Sequence, residues 1–285
     1  MMPLLFAAPW VCLLLFLILV KQTPSELPRA APKPLRETAL VSVIVPARDE
    51  APNIQTCVSS LVRSSYSAFE IIVVDDQSTD GTGSLVRGME QGNARSLRVI
   101  DGEQLPTEWL GKPWACCQGA AVAEGDLLLF TDADTWMQPT TVSRAVATME
   151  HSGVSLISLV PGRLSSSILQ KLSLPFIDWF ILACIPLGLT RRLATPLLSM
   201  CFGQFMLFKR SAYQKIGGHE AIKDRIVDDL VLGRRIKSAG RGLDLLNGTK
   251  EVQCHMYRDN ATLVEGFARN IFPALGYNTI RLTIA

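Results

Sequence analysis

The chain of 285 residues has few histidines, and its cysteines follow no metal-binding or disulfide pattern. It contains three histidines and seven cysteines, with no C-x-x-C spacing. An odd number of cysteines without such spacing predicts neither a zinc site nor a disulfide framework. We therefore expect reduced thiols, most of them buried as small apolar groups in a reducing compartment.

Charge is also scarce. Charged residues make up 19% of the chain, and the formal net charge is only +2. Nucleic-acid-binding proteins usually show a clear basic excess, so we expect no nucleic-acid partner. The glycine patterns G-x-G-x-x-G and G-x-x-x-x-G-K-[ST] are absent, which argues against dinucleotide and P-loop nucleotide sites. Apolar residues instead reach 48%, and the mean hydropathy of +0.24 suggests contact with a membrane.

The first twenty residues account for part of this hydropathy. Residues 1–20 carry no charge, and about 20 apolar residues are enough to span a bilayer as a helix. A cleaved signal peptide would have basic residues before its apolar run, and none precedes this one. We expect a transmembrane anchor rather than a buried helix, because the segment has no polar face. Basic residues that follow it predict that the rest of the chain lies on the cytoplasmic face of the membrane.

The remainder predicts one α/β domain behind a linker. Residues 21–38 hold four prolines and predict an extended linker. In residues 39–160, short apolar runs alternate with helical stretches. This pattern is typical of a mostly parallel central sheet with helices on both faces. Residues 161–285 complete the domain as a second, membrane-facing half.

Aspartates follow two of the predicted strands. Asp75 and Asp76 end the second, and Asp132 and Asp134 end the fourth. Ligands of such sheets bind beyond the carboxyl ends of the strands, so we expect both pairs to face one crevice. The alternative is that these aspartates cap the next helix, which is the reading we adopt for Asp80.

Four segments in order resemble the family 2 glycosyltransferases. They are Val41–Glu50, Glu70–Thr82, Gly125–Thr135 and Ile226–Gly240. Members of that family are inverting enzymes of the GT-A fold that use nucleotide-diphosphate sugars. The resemblance implies the same fold and reaction class here.

The resemblance also implies a donor-binding set in the first half. Asp76 is expected to contact the donor base, with Pro46 and Glu50 lining the same nucleotide pocket. Asp132 is expected to face the ribose and diphosphate, and Lys112 belongs to the same set.

The second aspartate of the D-x-D pattern, Asp134, is the implied metal ligand. Magnesium and manganese are commonly held by few carboxylates and keep positions open for substrate phosphates. We therefore expect Mg²⁺ or Mn²⁺ as the cofactor.

In the second half, the resemblance implies Asp229 as the base that deprotonates an acceptor hydroxyl, with Asp228 beside it. The alternative is that both merely favour the start of a helix. A helix N-terminus lowers the pKa of an aspartate, which would make Asp229 a weak base. Gly203 is expected to permit a close approach of the backbone to a ligand.

Leu172–Leu189 is apolar, with one charge and two prolines, and is followed by two arginines. We expect it to lie at the membrane interface as a helical segment. The alternative is a buried amphipathic helix beside the acceptor site.

A narrower resemblance concerns the acceptor. The motifs Gly111–Ala120, Gly217–His219, Ile226–Asp229 and Met256–Asn260 are similar to those of chlorobactene-type carotenoid glucosyltransferases, and less closely to those of hopanoid-associated ones. This implies a lipid-like acceptor such as a carotenoid. The Q-x-x-R-W signature of the processive polysaccharide synthases is absent from the sequence, so we expect transfer of a single sugar, with a UDP-hexose as donor. His255 and Arg258 could assist the diphosphate or be structural. Two alternatives stay open: transfer to a polyprenyl phosphate or glycerolipid, and an inert GT-A module that binds partners at the membrane.

Overall fold

The structure, a computed structural model, describes residues 24–28, 39–175, 195–196 and 199–274. The expected anchor at residues 1–20 and residues 176–189 of the expected interfacial segment lie outside the described residues. Within the part that is described, no helix is both long and apolar enough to cross a bilayer.

We number eight strands and seven α-helices among the residues that the structure describes. The strands are β1 Val41–Ala47, β2 Phe69–Asp75, β3 Leu97–Asp101, β4 Leu127–Phe130, β5 Thr135–Met137, β6 Leu156–Arg163, β7 Met206–Lys209 and β8 Leu243–Cys254. The helices are α1 Ile54–Leu61, α2 Thr82–Arg87, α3 Gly111–Val122, α4 Thr141–Ser152, α5 Arg210–Lys215, α6 Asp228–Ser238 and α7 Asn260–Ala274.

All eight strands form one sheet in the order β3-β2-β1-β4-β7-β6-β8-β5. The first four are parallel to one another, as the alternation of strands and helices predicts. Strand β7 runs antiparallel to both β4 and β6, and so joins the two halves of the domain in one sheet. Strands β6 and β8 are again parallel, with a register shift between Pro161 and Gly162.

The sheet is buried on both faces, because successive side chains of a strand point to opposite sides. Val43 and Val45 of β1 pack in one apolar core with α1 and α4, whereas Ile44 packs in a second core with α3, α5 and α6. The predicted α/β sheet with helices on both faces is therefore confirmed.

The sequence predicts strands over the apolar runs Leu40–Val45 and Met200–Phe208, and a helix from Asp228 to about Ser238. Several boundaries differ from those predicted. Strand β1 runs through Pro46 to Ala47 instead of ending at Pro46. The pairing of β1 with β4 ends at Ile44, whose carbonyl accepts from the amide of Thr131. Pro46 is the next residue that faces this side, so its missing N–H removes no sheet hydrogen bond. The strand expected over residues 200–208 begins only at Met206.

Residues 24–28, within the expected linker, pack on the domain. Leu27 is buried, its amide donates to the carbonyl of Asn247 at 3.1 Å, and the amide of Asn247 donates to Ser25 at 2.8 Å. The guanidinium of Arg144 donates to the carbonyls of Leu27 and Pro28 at 2.6 and 2.7 Å. We call residues 24–28 the N-terminal strap.

Candidate functional site

The candidate site lies beyond the carboxyl ends of β1, β2 and β4, where sheets of this kind bind ligands. The loop after β4 provides Asp132, and the start of α3 provides Lys112. The loop before β7 provides Gly203, and the first turn of α6 provides Asp228. These four residues line one recess together with Pro46 and His219.

Lys112 occupies the centre of the recess. Its Nζ lies 2.6 Å from Oδ1 of Asp132 and 3.7 Å from Oδ2 of Asp228. Burial acts to lower the pKa of Lys112, but the charges of Asp132 and Asp228 outweigh it and hold that pKa well above its ordinary value. Lys112 is therefore a fixed positive charge between the expected donor residues and the expected base.

Asp229 is held at the start of α6 by two backbone amides. Leu230 donates to Oδ1 at 2.6 Å, and Gly203 donates to Oδ2 at 3.1 Å. The pKa of Asp229 is nevertheless raised to about 7, by burial first and by the charge of Asp228 second. The low pKa expected from the helix N-terminus is wrong, because these two effects exceed it. A carboxyl group of this kind suits a general base near neutral pH.

Gly203 lies next to the side chains of Lys112, Asp132 and Asp229. A Cβ added to it would lie 3.1 Å from Nζ of Lys112, 3.6 Å from Oδ2 of Asp132 and 3.9 Å from Oδ2 of Asp229. Only glycine leaves this space open. The structure thus brings together six of the residues named from the sequence, namely Pro46, Lys112, Asp132, Gly203, Asp228 and Asp229.

Carboxylates are crowded around Asp134. Thr135 donates to its Oδ1 at 3.1 Å. Burial, and after it the charges of Asp132 and Glu50, raise the pKa of Asp134 to about 7. Carboxylates that repel one another are suitable ligands for a hard divalent cation, which can also bind the phosphates of the donor. Among the described residues, no group of three or more His, Cys, Asp or Glu side chains is arranged to hold a metal ion.

Asp76 and Asp75 do not share one role. Asp76 is buried and pairs with Arg48 at 3.6 Å, and a Cβ on Gly111 would come within 2.9 Å of its Oδ2. Burial raises the pKa of Asp76, and Arg48 opposes this. Asp75 instead accepts from the amide of Ser78 at 3.1 Å. The expectation that both carboxylates face the crevice is therefore wrong for Asp75, whose side chain fixes its own loop.

Two further residues lie at the edge of the site. Arg258 contacts the carboxylate of Glu50 at 3.5 Å and the carbonyl of Asp49 at 3.3 Å. The amide of His255 donates to the carbonyl of Asp134 at 3.1 Å. The side chain of His255 lines a neighbouring groove of about 210 Å³ with Trp136 and other residues. Both therefore adjoin the carboxylates of the first half.

Three residues that contact the site did not follow from the sequence motifs. Arg48 pairs with Asp76, and Gln204 donates to Oδ2 of Asp132 at 3.2 Å. His219 approaches Asp228, with Nε2 and Oδ2 4.0 Å apart. Arg48 lies within the motif Val41–Glu50, and His219 is the last residue of Gly217–His219. The motifs therefore include these two residues but do not indicate which carboxylates they contact.

Curated relatives share much of this chain. The 4,4'-diaponeurosporenoate glycosyltransferase of Staphylococcus haemolyticus is 26% identical over 239 residues, which are 82% of this chain and 61% of that protein. The protein of the same name from Staphylococcus aureus strain USA300 is 25% identical over 244 residues, covering 83% of this chain and 62% of its own length. The chain thus spans about three fifths of the length of these relatives.

Solved structures share the fold. The mannosyltransferase PcManGT from Pyrobaculum calidifontis, in complex with GDP-Man and Mn²⁺, superposes with a TM-score of 0.63 and 23% identity over 94% of this chain and 74% of that one. S. aureus TarS 1-349 in complex with UDP-GlcNAc gives a TM-score of 0.54 and 18% identity over 79% of this chain and 60% of that one. The predicted GT-A type of α/β fold is confirmed.

A family model described as "Glycosyl transferase family 2" matches residues 42–217. That match covers more than half of the chain and includes β1 to β4, the D-x-D aspartates, Lys112 and Gly203. The resemblance seen in the sequence motifs is confirmed, and the chain belongs to glycosyl transferase family 2.

Proposed function

We propose that the protein is an inverting, metal-dependent glycosyltransferase that moves one sugar from a nucleotide-diphosphate sugar to a hydroxyl of an apolar lipid acceptor. One observation carries the proposal. The backbone at Gly203 is closely approached by Lys112, by Asp132 and by the carboxyl group of Asp229, whose pKa is raised to about 7. A donor-facing cation and a poised base therefore meet at one point.

The first half of the chain binds the donor in this scheme. Asp76 and Pro46 line the base pocket, and Asp132 faces the ribose and diphosphate with Lys112 beside it. Mg²⁺ or Mn²⁺ at Asp134, when bound, would neutralise the charge that develops on the leaving diphosphate. The complex of PcManGT with GDP-Man and Mn²⁺ supports this cofactor. We propose a UDP-hexose as donor.

The second half performs the proton transfer. The carboxylate of Asp229 accepts the proton of the acceptor hydroxyl. The hydroxyl oxygen forms a bond to the anomeric carbon from the face opposite the diphosphate. The bond from that carbon to the diphosphate oxygen breaks, and its electron pair leaves with the nucleoside diphosphate. Lys112, fixed between Asp132 and Asp228, stabilises negative charge on the donor side.

We propose that the acceptor is a carotenoid or another terpenoid drawn from a bilayer. The names of the two staphylococcal relatives specify a carotenoid acceptor for those proteins, although one that carries a carboxylate and not a hydroxyl as its named group. Ile168 and Leu172 are 77% and 71% exposed, on a helical stretch that leads into the apolar residues 176–189. These exposed apolar side chains support contact of this surface with a bilayer. We propose that residues 1–20 anchor the protein and that the domain lies on the cytoplasmic side.

A transfer assay with labelled donors tests the proposal. The full chain in membranes would be given UDP- and GDP-sugars, with Mg²⁺, Mn²⁺ or a chelator. Acceptors would be a carotenoid alcohol, the corresponding carotenoid carboxylate, a polyprenyl phosphate and a diacylglycerol. We expect metal-dependent transfer from a UDP-hexose to the alcohol. Transfer only to the phosphate or the glycerolipid would contradict the acceptor, and no transfer despite donor binding would favour an inert module.

The two carotenoid acceptors also test the base. Asp229→Asn should abolish transfer to the alcohol but spare transfer to the carboxylate, which has no proton to lose at neutral pH. Asp224→Asn, at an exposed aspartate near the same helix, should leave both reactions unchanged. Equal activity of the Asp229→Asn variant toward the alcohol would exclude Asp229 as the base.

A further inference from the structure

His219 is a fully buried histidine to which the proposed reaction gives no role. Its ring lies 4.7 Å from the ring of Phe130 and 5.7 Å from that of Tyr213, measured between centroids. An apolar side chain would fill such a space without the need for hydrogen-bond partners. The polar contacts of the ring therefore require an explanation.

One ring nitrogen is tied to Tyr213. The backbone amide of His219 donates to the Tyr213 hydroxyl at 3.1 Å, and that hydroxyl lies 2.7 Å from Nδ1 of His219. Because the hydroxyl oxygen already accepts from the amide, its own hydrogen is directed to Nδ1. A neutral ring then carries its hydrogen on Nε2. Burial lowers the pKa of His219 to about 3, which keeps the ring neutral.

The other ring nitrogen faces the carboxylate beside the base. Nε2 of His219 lies 4.0 Å from Oδ2 of Asp228, and Nζ of Lys112 lies 3.7 Å from the same oxygen. Neither Nε2 nor Oδ2 has a hydrogen-bond partner among the described residues. At 4.0 Å the contact is an ion–dipole contact, and such contacts often shorten when a site is loaded.

We propose that His219, oriented by Tyr213, is a positioning residue that keeps the carboxylate of Asp228 turned toward Lys112, and through Asp228 controls the proton affinity of the base. This rests on the proposed function only in that Asp229 is taken as the base. Other groups also face the two aspartates. They are Lys112 and Cys116 from α3, Asp132 from the loop after β4, and Cys201 from the loop before β7.

Tyr213→Phe tests the orientation of the ring with the least change in packing. In the wild type, kcat/KM should rise with pH through about 7 as Asp229 loses its proton. Without the tyrosine hydroxyl, Nε2 no longer faces Asp228 in a fixed form, and the Asp228 carboxylate can turn away from Lys112. Its negative charge then acts on Asp229 with less compensation and raises the pKa of Asp229 further. We expect the acidic limb to move up by about half a pH unit or more. We also expect kcat to fall about tenfold while KM for the donor is kept.

His219→Phe and His219→Gln form a matched pair. Phenylalanine keeps an aromatic ring but removes the donor, so its pH profile should shift further. Glutamine offers one acceptor to Tyr213 and one donor to Asp228, so it should restore most of the profile. Phe208→Leu is the control, because Phe208 packs in the same aromatic cluster but does not contact Asp228. It should lower the melting temperature without a shift of the profile.

A measurement without substrate separates this inference from the proposed function. Nitrogen-15 NMR of the His219 ring should show a neutral Nε2–H form down to about pH 5 in the wild type. A mixture of ring forms is expected in Tyr213→Phe. A wild type with the hydrogen on Nδ1, or profiles of the His219 variants that match that of Phe208→Leu, would overturn the inference. Loss of all transfer with the expected NMR result would count against the proposed function alone.

Discussion

The ammonium of Lys112 lies 2.6 Å from Oδ1 of Asp132, and the same ammonium reaches Asp228 in the other half of the domain. One cation thus balances carboxylates that come from both halves of the domain. Without it, the two carboxylates would face each other across the recess with no positive charge between them.

Replacement of this cation should therefore impair the reaction more than the fold. We expect Lys112→Met to lower kcat/KM by about a hundredfold or more, because Asp132 and Asp228 lose their shared partner. Steady-state kinetics with varied donor would measure the loss. Lys223→Met, at an exposed lysine that pairs with Glu108, is the matched control and should keep normal kinetics. A wild-type rate in Lys112→Met would contradict the assigned role.

A single methyl group at residue 203 should have a similar effect. In Gly203→Ala the Cβ would lie 3.1 Å from Nζ of Lys112, closer than most such contacts, so the ammonium must move. We expect transfer to fall by about tenfold or more with little change in melting temperature. Gly88→Ala is the control, because its nearest neighbour would be a carbonyl oxygen at 3.6 Å. Equal activity of the two variants would show that the space over residue 203 is not used.

The raised pKa of Asp229 also predicts how stability depends on pH. Folding raises this pKa from an ordinary value of 3.8 to about 7, so between these values the folded protein holds a proton that the unfolded chain has released. Stability from this group therefore falls as the pH rises from about 4 to 7.

Asp229→Asn removes that dependence. We expect the variant to melt above the wild type at pH 8, and the difference to shrink toward pH 4, in scans without donor or metal. Asp224→Asn should follow the wild type at every pH. A melting temperature of Asp229→Asn below that of the wild type at pH 8 would indicate that its carboxylate stabilises the fold instead.

The N-terminal strap should contribute to stability through Arg144. This buried guanidinium donates to two strap carbonyls and pairs with Glu251 at 3.1 Å. Arg144→Ala should reduce the free energy of unfolding by about 3 kcal/mol, since it leaves Glu251 without this partner. Arg87→Ala, which removes an exposed ion pair with Asp101, should cost less than about 1 kcal/mol. Urea unfolding of both variants would compare them.

Local patterns were enough to predict the first half of the sheet. The apolar runs of β1, β2 and β4 are buried on both faces, and helix α6 has the predicted bounds Asp228–Ser238. Strand β8 escaped prediction, because its buried positions include Asp244 and Gly248, so the burial that alternates along most of the strand does not appear as alternating hydropathy.

The site was predictable in residue type but not in contacts. The motifs identify Asp132, Asp134 and Asp229, yet the pairing of Lys112 with Asp228 joins residues 116 positions apart. Their charges could be read from the sequence, whereas the raised pKa of Asp229 depends on burial that only the tertiary structure creates. Asp75 and Asp76 are adjacent at the end of a strand, but Asp75 accepts from the amide of Ser78 whereas Asp76 pairs with Arg48. The sequence alone does not distinguish these two roles.

With the proposed anchor at residues 1–20, the strap would limit the distance between the domain and the bilayer. Four residue steps separate Val20 from Pro24, so an anchor that ends at Val20 would leave a leash of at most about 14 Å. Asn247, which receives the strap, and Cys254 face β6 residues only three steps apart, or about 10 Å. Leu164, beside the exposed apolar side chains, donates its amide to Cys254. The short linker and the apolar surface would thus attach the domain to the membrane at two neighbouring points and keep the crevice close to the lipid.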